Sequence, residues 1–214
     1  NEFGTVGKPL PGVEVRIDDS GEILARGPNI MRGYWRNPEE TRAAIDADGW
    51  LHTGDVGRWS QRGNLMITDR IKNLIVTSGG KNVAPQVVER ALKQWEVVAQ
   101  VVVIGDGHPF CTALIVPNEE ALRAFLRAQG IDASAQLSEL CTDLRVLGAV
   151  MRELEHYQRD LAKYERVRRI AMLAEPFTVE NGLLTPTLKV RRKEVLARFA
   201  EQIERLYSNP PASG

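Results

Sequence analysis

The chain is poor in the features that mark a metalloprotein, a secreted scaffold or a membrane span. It has two cysteines, Cys111 and Cys141, without CxxC spacing or a third partner, which excludes a disulfide framework and a clustered zinc site. The expectation is a reduced, buried, inert pair, with no metal ligands among these residues. No stretch approaches the roughly 18 apolar residues of a spanning helix, and no basic segment followed by an apolar one opens the chain. That leads to the expectation of a cytoplasmic protein, with peripheral membrane contact still compatible. Net charge is also missing: 28 basic side chains balance 28 acidic ones. No overall field draws the chain onto nucleic acid, so no nucleic-acid partner is expected and any phosphate must be met by local groups. What is present is ordinary globular material. The 214 residues, 43% of them hydrophobic, suffice for one large or two small packed domains, and no internal repeat is visible.

The chain is organised around residues 69–81, where an apolar strand expected over 73–77 follows a charged run and leads into Ser78-Gly79-Gly80. The paired glycines permit positive φ and close approach of another molecule. Before this stretch the pattern is short and β-rich. Val13, Val15 and Ile17 alternate with charged residues, residues 19–21 supply a turn, and residues 22–26 complete a hairpin. Asn37 and Pro38 begin a short helix over about 38–46. Residues 50–59 and 64–68 read as short antiparallel strands. After it the pattern alternates α and β. Pro85 opens a helix with Val87, Val88, Ala91, Leu92 and Trp95 on one face, and residues 97–104 and 111–116 form a buried hairpin. A helical stripe runs from Ala121 to Leu126 and ends at Gly130. A longer stripe takes in Leu144, Leu147, Met151, Leu154, Gln158 and Leu161. Residues 167–173 return to strand, 181–190 form a loop, and one last helix turns Val195, Leu196, Phe199, Ile203 and Leu206 inward. Residues 209–214 read as a flexible tail. The fold class is α+β, a small antiparallel β subdomain followed by a mixed α/β domain.

Chemistry-bearing residues sit at three separated places. Thr53-Gly54-Asp55 sets a carboxylate after a glycine, at a position expected to be a strand end, where its oxygens can accept from vicinal hydroxyls such as those of a ribose. Arg70 has a planar guanidinium able to donate to the same sugar, although beside Asp69 it also reads as half of a solvated charge pair. Lys189 stands in a Thr-Pro-Thr-Leu-Lys loop that Pro186 stiffens and Leu188 is expected to anchor. A lysine there offers one mobile positive charge to a reacting phosphate and carboxylate.

Taken together, Gly21-Glu-Ile-Leu-Ala-Arg-Gly, Gly33-Tyr34, Trp50-Leu-His-Thr-Gly-Asp55, Asp69-Arg-Ile-Lys72, Ser78-Gly-Gly-Lys81 and Leu184-Thr-Pro-Thr-Leu-Lys-Val-Arg-Arg192 occur in the order of the acyl-activating, adenylate-forming enzymes. Over essentially its whole length the chain resembles the C-terminal part of such an enzyme, and within that superfamily a long-chain fatty acid–CoA ligase. The resemblance implies a ligase of lipid metabolism acting in two steps. Fatty acid and ATP give acyl-adenylate and pyrophosphate, then CoA displaces AMP to give the thioester. It implies that Asp55 and Arg70 hold the ribose, that Lys189 stabilises charge during adenylation, and that Lys72 occupies the hinge. It further implies that Gly79 and Gly80 face the pantetheine arm of CoA, with Lys81 near a CoA phosphate.

The sequence contains no Ser/Thr/Gly-rich phosphate loop followed by Pro-Lys-Gly, no Tyr-Gly-x-Thr-Glu run whose glutamate would hold Mg2+, and nothing to line an acyl tunnel. The expectation is therefore a fragment, inactive alone. Residues 1–69 would be the last β-rich subdomain of a larger AMP-binding domain, 70–72 the hinge, and 73–208 the mobile C-terminal domain. Two alternatives share these motifs: a fatty acyl–AMP ligase that passes its acyl group to a carrier-protein thiol, and a non-catalytic interaction module.

Overall fold

A computed structural model describes residues 2–208, so the expected tail at 209–214 lies outside the described residues. Two compact units, Asn1–Leu74 and Ile75–Gly214, make up the chain.

The first unit is a four-stranded antiparallel sheet of β1 (Glu14–Ile17), β2 (Glu22–Arg26), β3 (Leu51–Trp59) and β4 (Leu65–Arg70), laid side by side in chain order. Asp18 sets the first turn, its Oδ1 accepting from the Ser20 and Glu22 amides, while Gly21 takes φ +88°. Asn37 caps α1 (Pro38–Ala44) by accepting from the Glu40 amide. The core is small: Ile23, Leu24, Trp50 and Val56, with the Arg16 and Arg26 guanidinia lying 4.2 and 4.5 Å from the Trp50 ring. Residues 51–59 form one nine-residue strand with irregular register, so Asp55 lies within a strand and not at its end.

A 3-10 turn, Ile71–Asn73, replaces the start of the strand expected over 73–77. The Asn73 side chain donates to Asp69 Oδ1 at 3.0 Å, and such a local bond draws the backbone out of extended geometry. In the second unit only β5 (Ile75–Val76) remains of that strand, paired with β6 (Asn82–Val83). Ser78-Gly79-Gly80 thus lies in the loop of a hairpin.

The larger body of this unit is a three-stranded mixed sheet with β8 (Cys111–Pro117) central, antiparallel to β7 (Val98–Ile104) and parallel to β9 (Val167–Met172). Strand alternation gives each face its own core. Val101, Val103, Ala113 and Ile115 join a cluster with α2 (Pro85–Leu92), α3 (Glu119–Ala128), the single turn α4 (Leu137–Leu140) and α5 (Leu144–Tyr157). Val102, Ile104, Leu114 and Val116 join Phe177, Leu183, Val195, Phe199 and Ile203 on the other face. The second group includes α6 (Arg192–Arg198) and α7 (Ala200–Ser208). The single last helix expected from the sequence is therefore two. The backbone leaves helical geometry at Phe199, whose ring is buried against the sheet.

At Val103 the edge of β7 is closed by side chains. Glu89 accepts from the Val103 amide and from Arg192, and Arg192 donates to the Val103 carbonyl. Farther along, the Gln100 amide exchanges two hydrogen bonds with the Phe177 backbone. In α5 the buried stripe is Val146, Ala149, Val150 and Leu154, while Leu144 is 82% exposed, contrary to the sequence reading. Leu144 directly follows the N-cap Asp143, in the first turn of the helix. Gln158 is buried as expected, but as a polar clamp on the Val167 backbone. Both cysteines are free and buried, as expected. Among the described residues no helix is long and apolar enough to cross a membrane.

Candidate functional site

In the first unit Asp55 and Arg70 are register partners on β3 and β4. The Arg70 Nε donates to Asp55 Oδ1 at 2.7 Å, and Nη2 lies 3.5 Å from the Thr53 carbonyl. Asp69, expected as the surface partner of Arg70, is instead buried and accepts from the Arg70 backbone amide. Adjacent strands bring a carboxylate and a guanidinium together on one exposed edge, an arrangement that suits a polyhydroxylated ligand. Lys72 is exposed in the 3-10 turn that follows.

In the second unit the glycine loop is closed by its flanks. The Thr77 amide donates to the Lys81 carbonyl at 3.0 Å, the Lys81 amide to Thr77 Oγ1 at 3.1 Å, and the Gly80 amide to the Thr77 carbonyl at 2.8 Å. Gly80 takes φ +70° and requires glycine for that reason, whereas Gly79 does not adopt positive φ. A Cβ at either would meet nothing within 4 Å, so the loop is open to an approaching molecule. Behind it, the Ser78 amide donates to the His108 carbonyl and the Val76 amide to Asp106 Oδ1. Lys81 Nζ lies 6.0 Å from the Tyr164 ring centroid.

Lys189 is exposed on a tight loop built around Thr185. The Thr185 amide donates to the Lys189 carbonyl at 2.8 Å, its carbonyl accepts from the Leu188 amide, and its hydroxyl accepts from the Lys189 amide at 3.1 Å. A bridge between Leu184 and Val190 holds the base. Leu188 does not anchor the loop as expected: it has φ +59° and is 71% exposed. That left-handed leucine costs on the order of 1 kcal/mol and turns Lys189 outward.

Sequence reasoning assigned no role to Glu22 and His52, which the first unit joins at 2.9 Å, Glu22 also accepting from the Gly54 amide next to Asp55. In the sequence Glu22 is only the first residue of the second hairpin arm, and its burial marks it out. No group of three His, Cys, Asp or Glu side chains among the described residues is arranged to hold a metal ion.

The comparisons with known proteins agree with these motifs. The chain is 42% identical over 207 residues to the long-chain-fatty-acid–CoA ligase FadD15 of Mycobacterium tuberculosis, covering 97% of this chain and 34% of that protein. It is 38% identical over 219 residues to long-chain-fatty-acid–CoA ligase 1 of Cavia porcellus, covering 96% and 31%. The chain thus spans about a third of the length of the curated relatives it matches. Among solved structures, the A domain of a carboxylic acid reductase from Segniliparus rugosus, in complex with AMP and a co-purified carboxylic acid, superposes with a TM-score of 0.68. It is 27% identical, over 94% of this chain and 32% of that one. The family model of the AMP-binding enzyme C-terminal domain matches residues 72–210, taking in the glycine loop and the Lys189 loop, and the chain belongs to that family.

Proposed function

We propose that this chain forms the C-terminal part of an AMP-forming long-chain fatty acid–CoA ligase, with fatty acid, ATP and CoA as substrates. In this reading residues 1–69 complete the AMP-binding domain, 70–72 including Lys72 are the hinge, and 73–208 are the mobile domain. Asp55 and Arg70 hold the ribose in both half-reactions. Lys189 meets the charge that develops as carboxylate attacks the α-phosphate. After rotation the loop of Gly79, Gly80 and Lys81 meets the pantetheine arm of CoA and its phosphate. The enzyme would work in the cytoplasm, with the membrane surface as one source of fatty acid.

The observation that carries this reading is the Asp55–Arg70 pair, in which Arg70 engages only one carboxylate oxygen, Oδ1, on an exposed edge. The names of the relatives and the AMP bound in the structural neighbour support it. Magnesium accompanies ATP in such chemistry; the described residues gather no ligand set for it, so its protein ligands are assigned outside this chain. The test uses the full-length enzyme: pyrophosphate release with fatty acid and ATP, then thioester formation with CoA or with a pantetheinylated carrier protein. Thioester formed on CoA is the expected result, and acyl transfer to the carrier alone would overturn the acceptor assignment. The isolated chain is expected to catalyse no ATP–pyrophosphate exchange, and robust exchange by it would sink the assignment of the missing machinery to another part of the enzyme.

A further inference from the structure

We propose that Glu22 is a positioning residue for the nucleotide site, holding the backbone bend that presents Asp55. The proposal rests on the reading of Asp55 as a ribose ligand. Glu22 lies on β2 but is only 7% exposed, and a buried carboxylate persists where its oxygens are hydrogen-bonded. Oε1 accepts from the Gly54 amide at 2.8 Å, and Oε2 lies 2.9 Å from His52 Nδ1. One side chain therefore grips both residues that flank Thr53.

The bend needs such a grip. Ladder partners are Glu22 with Val56 and Leu24 with His52, so a two-residue step along β2 faces a four-residue step along β3. The surplus residues bulge out of the ladder at 53–55, and their amides lose their regular acceptors. Gly54 takes φ +71° there, and a Cβ added to it would meet nothing within 4 Å, so glycine serves the dihedral and not the space. The Glu22 carboxylate replaces the missing acceptor for Gly54. The Thr53 hydroxyl completes the set, donating to the Ile23 carbonyl at 2.6 Å while accepting from the Asp55 amide at 3.1 Å. With the bulge fixed, Asp55 emerges opposite Arg70. Without Glu22 the Gly54 peptide is free to rotate, and the Asp55 carboxylate loses its direction.

The test compares ATP with 2′,3′-dideoxy-ATP in acyl-adenylate formation by the full-length enzyme. The wild type should prefer ATP by about tenfold or more in kcat/KM, the scale of one charged hydrogen bond to the ribose hydroxyls. Glu22→Ala should collapse that preference through a raised KM for ATP, leaving the dideoxy nucleotide little changed. Glu22→Gln should restore it, since its carbonyl still accepts from Gly54 and its amide can donate to His52. A loss common to both nucleotides, with the preference intact, would mean that Glu22 only supports the fold and would overturn the proposal. Asp55→Ala separates the two levels. If it leaves the preference unchanged, the ribose reading fails and takes this proposal with it; if it abolishes the preference while Glu22→Ala does not, only the positioning role fails. Should Glu22→Ala not fold, Glu22→Asp keeps the charge but withdraws the oxygens by one methylene. It should also lower the preference, and a wild-type ratio in folded Glu22→Asp enzyme would overturn the proposal.

Discussion

Arg70 donates to Asp55 across the β3–β4 ladder at 2.7 Å, and the two side chains keep 63% and 30% of their exposure. An ion pair this open contributes about 0–1 kcal/mol to folding, so removing it probes ligand binding with little confusion from stability. Asp55→Ala should shift the thermal midpoint of the chain by no more than about 4 °C. In the full-length enzyme it should slow both half-reactions about 10- to 100-fold, because the adenylate is present in each. A normal rate of adenylate formation would remove Asp55 from the nucleotide site.

On the proposed function, the two exposed loops of the second unit should fail in different steps. Lys189→Ala deletes one charge from the adenylation transition state and should cost about 100- to 1,000-fold there. Thioester formation from supplied acyl-adenylate and CoA should survive. Gly80→Leu should do the reverse, but its φ of +70° adds backbone strain. Gly79→Leu is the cleaner probe, since that position is open and lacks positive φ. Following pyrophosphate release without CoA, and separately acyl-adenylate plus CoA, checks the split. Equal damage in both assays by Lys189→Ala would refute the exchange of roles through domain rotation.

Alkaline pH should weaken the second unit. Burial pushes the Cys111 and Cys141 thiols up from 9.0 to about 11, and the Tyr207 hydroxyl up from 10.0 to about 12. The neutral forms are the ones the fold favours. Their contribution is complete below the unfolded values and is lost as pH rises through the folded ones, a window of roughly pH 9 to 12. Urea midpoints measured against pH should fall there, and Cys111→Ala or Tyr207→Phe should flatten the fall. Both thiols should also resist iodoacetamide at pH 8 until the chain unfolds.

Glu89→Ala should destabilise the second unit by about 2 kcal/mol, because it strips the acceptor from the Val103 amide and the counter-charge from Arg192 together. Denaturant titration of the chain measures this directly. A change within experimental error would show that water replaces Glu89 at the edge.

The central strands were legible as near-continuous apolar runs because each face of the mixed sheet has its own apolar partner. What stayed hidden depends on contacts between distant residues. Leu144 and Val146 both belong to credible helical stripes, and only the docking of α5 decides that Leu144 faces water. The break at Phe199 leaves no proline or glycine to mark it. The motifs around Asp55, Arg70, Gly79, Gly80 and Lys189 were visible as ordered strings. The role of Glu22 was not, since its partners lie 30 and 32 residues away.

The closed edge of β7 also bears on how the protein behaves in a crowded solution. An edge strand of Val, Ile and Gln with open amides and carbonyls would template the addition of a strand from another copy, the first step of aggregation. Here Glu89 and Arg192 occupy the amide and the carbonyl of Val103, and the Gln100 side chain ties the neighbouring Phe177 segment to the strand. A charged pair thus interrupts the edge as a gatekeeper at Val103, where an incoming strand would have to pair with groups already engaged.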